Sequence, residues 1–170
     1  VSSSSSATCF GKIPSRGDFV KGPGQHQLIS VLDRWVSQGM ERLSDDPRWK
    51  GAYDNAGAAD FVFIGARSRL SVVGHLRPST DASGRRFPFL TASTIERDDA
   101  LMFRCAPVGL VHSFASLARV TEAGVQGGEV ADLLANLEDI DCAADFDAAL
   151  RSDPLGNFVR RNTPESLASM

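Results

Sequence analysis

Residues 61–95 read FVFIGARSRLSVVGHLRPSTDASGRRFPFLTASTI. Three β-prone runs lie in this stretch, separated by turn-forming residues. Phe61, Val62, Phe63 and Ile64 are continuously apolar and end at Gly65, the pattern of a strand buried on both faces. Leu70, Val72, Gly74 and Leu76 then alternate with Ser71, Val73 and His75, as a second strand would. Residues 87–95 return as a third strand, with Phe87, Phe89 and Thr91 predicted on one face. The connections are too short for a crossover, so the three strands form an antiparallel meander.

The loop before the third strand has its own chemistry. Pro78 pre-sets a turn, Ser79 and Asp81 can bond nearby backbone amides, and Gly84 suits a positive φ. Arg85 and Arg86 point to opposite faces. A half-buried arginine there requires a carboxylate, for which Asp18 and Asp81 are the candidates.

Outward from the meander, residues 8–13 read as a first strand. Residues 14–24 are rich in glycine and proline and read as a loop. In residues 25–43, Leu28, Leu32, Trp35, Val36, Met40 and Leu43 fall on one helical stripe, opposite Asp33, Arg34, Gln38, Glu41 and Arg42,. Asp45-Asp46-Pro47 ends that helix. Residues 48–59 form a connector with a short helical turn from Trp49 to Tyr53. Beyond the meander, helices are predicted over 108–123, 129–137 and 143–150. Strands followed by helices mean an α+β fold, an antiparallel sheet with helices packed on it. The expected layout is a Ser-rich disordered tail at 1–7, a single domain at 8–156 and a polar tail at 157–170.

Composition narrows the function. A chain of 170 residues with net charge −3 is one domain and lacks the basic excess of a general nucleic-acid binder. No apolar run approaches the roughly 18 residues of a membrane span. The opening VSSSSSAT lacks the basic and apolar regions of a secretory signal, so the Arg16-Gly17-Asp18 triplet is not read as a receptor motif. Cys9, Cys105 and Cys142 are irregularly spaced, as free thiols in a reducing compartment would be. His26, His75 and His112 lack metal-ligand spacing, and His75 is expected on an exposed strand face. Asp139, Asp141, Asp145 and Asp147 match no calcium loop and read as a solvated acidic surface. There is no GxSxG elbow and no phosphate-binding glycine fingerprint. No catalytic residue, metal or cofactor is predicted. Lys12, Ser15, Arg16, Arg85 and Arg86 near flexible glycines leave a small-anion or nucleotide-binding module open as an alternative.

Two stretches carry a family resemblance. GKIPSRGDF at 11–19 and PSTDASGRRFPF at 78–89, with Trp35, Trp49 and Tyr53 between them, resemble the TagF (ImpM) family of bacterial type VI secretion systems. The motif positions are Lys12, Pro14, Ser15, Arg16, Gly17, Asp18, Phe19, Pro78, Ser79, Asp81, Gly84, Arg85, Phe87 and Pro88. The resemblance implies a longin- or profilin-like α+β fold and no enzyme activity. It further implies a cytoplasmic negative regulator that binds the FHA-domain protein Fha and so represses secretion after translation. Pro14, Gly17, Pro78 and Gly84 are expected to shape the loops. Ser15 and Asp18 are expected to pin the first loop, with Asp18 pairing Arg85.

Overall fold

The structure, a computed structural model, describes residues 7–65, 69–97 and 99–152. The predicted tails at 1–7 and 157–170 therefore lie outside the described residues, except Ala7, which is buried in the core and belongs to the fold. The elements in chain order are β1 (Thr8–Gly11), β2 (Val20–Lys21), α1 (His26–Ser44), α2 (Trp49–Asp54), β3 (Ala59–Ile64), β4 (Leu70–Arg77), β5 (Phe89–Glu96), α3 (Asp99–Gly109), α4 (Val111–Val125), α5 (Val130–Glu138) and α6 (Cys142–Arg151). The strands form one sheet in the order β2-β1-β5-β4-β3, with every neighbouring pair antiparallel. The fold is α+β, and the meander β3-β4-β5 is as the alternation predicts.

Period-2 alternation sorts the strand side chains into two cores. On one face Phe10, Phe87, Leu90 and Ala92 meet Ile29, Leu32 and Val36 of α1. On the other, Cys9, Val73, Phe89 and Ile95 meet Leu110, Leu117, Leu133, Leu137 and Phe146 from the C-terminal helices. Among the described helices, α1 packs on the first face, with α2 beside it, and α3, α4, α5 and α6 pack on the second. Polar ties fix the second layer. The Thr91 hydroxyl donates to the Leu117 carbonyl at 3.0 Å, Arg77 pairs Glu122, and Arg97 Nε donates to Asp147 at 2.9 Å.

Several expectations are corrected. The Phe61-Phe63 strand is the sheet edge, not a strand buried on both faces, and Phe63 is 41% exposed. An apolar run records what the faces touch but not whether a neighbour lies on each side. The loop at 14–24 contains β2, which pairs Lys21 with Phe10. Phe87 does not share a face with Phe89. Pro88 precedes the first ladder residue, so alternation begins only at Phe89, and Phe87 turns toward Phe10. The helix predicted over 108–123 is essentially α4, Val111–Val125. Residues 108–109 instead end a separate helix, α3, which sequence reasoning missed, and the two are bent by 63°. Pro107 removes an amide donor from the last turn of α3,, and Leu110 leaves helical geometry. His75 is not on a bland exposed face: its side chain is mostly buried and its Nδ1 lies 2.6 Å from Asp60. The acidic cluster is partly structural. Asp141 accepts from the Ala143 and Ala144 amides at the start of α6,, and Asp147 holds Arg97.

Among the described residues no single helix is long and apolar enough to cross a membrane; only α3 and α4 taken together reach that length, across their bend. No group of three His, Cys, Asp or Glu among the described residues could hold a metal ion.

Candidate functional site

The two motif stretches meet around one carboxylate, Asp81. Its side chain has no exposed surface. The Lys12 ammonium donates to Oδ2 at 2.8 Å from a side chain only 9% exposed. Arg85 Nε donates to the same oxygen at 2.6 Å. Oδ1 accepts from the Ser83 and Arg85 amides, both at 2.9 Å. A buried charge is costly unless paired and hydrogen-bonded, and here both oxygens are used. The Lys12 ammonium above all, then Arg85 and the Ser83 amide, hold this carboxyl well below the usual carboxylate range, against the opposing effect of burial.

Asp81 therefore closes its own loop and ties it to the first one. Within the loop, Gly84 N donates to Asp81 O at 2.9 Å, and Gly84 sits at φ 75°, where a side chain would be strained,. Between the loops, Ala82 N donates to Arg16 O at 2.8 Å, and Arg85 Nη2 donates to Gly17 O at 2.7 Å. The approach of the two chains requires Gly11. It adopts φ 131°, and a Cβ there would lie 2.0 Å from the Pro88 carbonyl oxygen.

Aromatic rings floor this junction. Phe19 stacks on Phe10 at 5.4 Å and meets Phe87 edge-on at 4.9 Å, geometries that ring quadrupoles favour. The Lys12 ammonium also lies 5.1 Å from the Phe19 ring centre. Helix α2 braces the far end of the second loop. The buried Tyr53 hydroxyl donates to Ser79 O and accepts from Ser79 N, each at 2.9 Å. Burial pushes the Tyr53 phenol up to about 12, so it stays neutral and able to donate. Asp54 holds Arg86 through two contacts, at 2.7 and 2.6 Å, and the guanidinium sits 6.0 Å from the Trp49 ring. Arg86 lowers the Asp54 carboxyl below its ordinary value.

The expected Asp18–Arg85 pair is absent. Asp18 is exposed and has no ion-pair partner among the described residues. Arg85 does reach the first loop, but at the Gly17 carbonyl, and its carboxylate partner is Asp81, four residues back. Ser15 does pin the first loop, but through the Gly128 carbonyl at 3.2 Å. Arg16 faces Glu129 at 3.9 Å in the open, and Pro14 is exposed. Trp35 packs against Phe61 and Phe63 of β3. It also lines, with Val36, Met40 and Leu43 of α1 and with Tyr53, an apolar groove of about 270 Å³ that Pro78 and Pro88 border. Sequence reasoning missed Phe10, Asp54, the Gly128 carbonyl and the Glu129 carboxylate. No local signal identifies them, because each is brought in by packing between distant elements.

The junction spends its charges internally. Lys12 and Arg85 are committed to Asp81, and Arg86 to Asp54. Two stretches reach solvent: the tip Arg16-Gly17-Asp18, beside a shallow depression that also includes Phe19, Lys21 and Val130, and residues 82–85 of the second loop, where the Arg85 side chain is 62% exposed. The arrangement has a braced base and an exposed, mixed-charge crest.

The family model for the TagF N-terminal domain, type VI secretion system-associated, matches residues 8–140. No curated protein sequence matches the chain. The crystal structure of PA0076 from Pseudomonas aeruginosa PAO1 is similar, with a TM-score of 0.67 at 22% identity over 79% of this chain. At that identity the likeness concerns the fold. The chain spans 62% of the length of that structure.

Proposed function

Because the chain belongs to the TagF N-terminal domain family of type VI secretion system-associated proteins, we propose that it acts by binding rather than catalysis, as a cytoplasmic repressor that holds the FHA-domain protein Fha. Family membership supplies the secretion system. The observation that supports the binding mode is the braced crest: Arg16, Asp18 and Phe19 are exposed on a loop whose base is anchored to Asp81 and Gly128. A loop fixed before binding loses less conformational entropy on docking. The alternative, a small-anion or nucleotide module, is less favoured because Lys12, Arg85 and Arg86 already face carboxylates.

The test is titration calorimetry with the cognate Fha protein, phosphorylated and unphosphorylated, at physiological salt. Binding in at least one state is expected. Arg16→Glu and Asp18→Lys should each weaken it about tenfold or more while leaving stability within about 0.5 kcal/mol, as exposed substitutions do. No heat in either state would sink the proposal. A parallel nucleotide and phosphate panel giving a thermal shift would favour the alternative.

A further inference from the structure

The two edges of the sheet are unlike. The β2 edge is two residues long and carries Lys21, the ordinary protections against strand addition. The β3 edge is six residues, Ala59–Ile64, with no lysine, proline or bulge. Its one charge, Asp60, is turned to His75 on β4 at 2.6 Å. A row of backbone donors and acceptors on β3 therefore faces outward beside apolar side chains.

Those side chains form a strip on the α1 side of the sheet. Trp35 packs at 5.2 and 5.0 Å from the Phe61 and Phe63 rings. Val31 lies one turn before Trp35 on the same flank of α1. Leu70, in step with Val72 on β4, continues the strip past Phe63,. Val31, Trp35, Phe63 and Leu70 are 64%, 39%, 41% and 49% exposed.

We propose that this edge is a self-association surface, on which β3 pairs antiparallel with β3 of a second copy to give one continuous sheet. Three arguments select a second copy. The first is symmetry. Antiparallel pairing in one sheet has its two-fold axis perpendicular to the sheet, so each face continues into the same face of the other copy and the Trp35–Phe63 side of the edge meets its own counterpart. A lone added strand lies only about 4.8 Å out in the sheet plane, whereas the helix layer stands about 10 Å above it; it would leave Val31 in water. The second is charge. Registers centred on Phe61 or Val62 set Asp60 opposite Val62 or Ile64 of the other copy, so no like charges meet. The third is area. The four exposed side chains supply on the order of 350 Å² of apolar surface per copy, given about 150–250 Å² for a whole large side chain. That approaches the apolar half of a standard interface of about 800 Å² per partner, and the paired backbone and its flanks contribute the rest.

Light scattering on the full chain across a hundredfold concentration range tests this, with hydrogen exchange read at the β3 amides. The expected result is a mass rising from 18.2 kDa toward twice that value, with β3 amides gaining protection in step. Phe63→Lys places a charge on the edge, and Val31→Glu places one on α1 without touching the sheet. Each should weaken the dimer about tenfold or more. At concentrations where the chain is monomeric, Val31→Glu should leave melting unchanged, whereas Phe63→Lys should lower it somewhat through its lost Trp35 contact,. A monomer at every concentration overturns the proposal, as does a dimer indifferent to both substitutions.

Discussion

Lys12→Met removes one ammonium and keeps most of the side chain's length. The lost group donates to Asp81 at 2.8 Å inside the protein. Breaking a buried ion pair from one side costs about 3–5 kcal/mol, because the remaining charge is left without its partner. Here Asp81 keeps Arg85 at 2.6 Å and two amides, so the low end applies, about 3 kcal/mol. For a chain of this size each kcal/mol moves Tm by about 2–4 °C, which predicts a fall of about 6–12 °C. Urea and thermal unfolding followed by far-UV circular dichroism measure it. Asp81→Asn should also destabilise, since it strands Lys12. The double variant should then cost clearly less than the two single costs added together, because neither charge is left alone. A Tm within about 2 °C of wild type, or additive single effects, would refute the placement of this pair at the centre of the junction.

Three further outcomes follow from the same geometry. Asp81, Asp54 and Asp147 have depressed carboxyl pKa values, so the unfolded chain binds more protons in acid. Their stabilisation is complete above the unfolded aspartate value near 3.8 and is lost as pH falls through the lower folded values. Urea midpoints should drop steeply below about pH 4, and less steeply, from a lower starting point, in Asp81→Asn. Burial pushes Cys9 up to about 12 and Cys142 up to about 11, so a disulfide reagent at pH 8 should titrate only Cys105 in the native protein and all three thiols in denaturant. Gly11→Ala should cost more than about 3 kcal/mol and reduce the soluble yield, because its Cβ meets backbone at 2.0 Å,. The control Gly39→Ala, with nothing nearby on α1, should stabilise by up to about 1 kcal/mol.

Local patterns carried much of this protein. Helix α1 was legible because a 3.6-residue stripe fixes one face regardless of what it packs on. The meander was legible because its connections are too short for any other pairing. The loop chemistry of Asp81 and Gly84 was legible because turn residues act on their own backbone. The motif pair marked the family for the same reason, since both halves are written contiguously in the chain. What needed the tertiary structure is what depends on residues far apart. Lys12 and Asp81 are 69 positions apart, and no periodicity reports that one will neutralise the other. Asp18 was the expected partner for Arg85, yet the fold puts Asp81 inside against Arg85 and leaves Asp18 in solvent. The run Phe61-Val62-Phe63-Ile64 read as a strand buried on both faces because it is continuously apolar. Whether it has one neighbour or two is decided by where β1 inserts, beside β5, and that left β3 as the open edge.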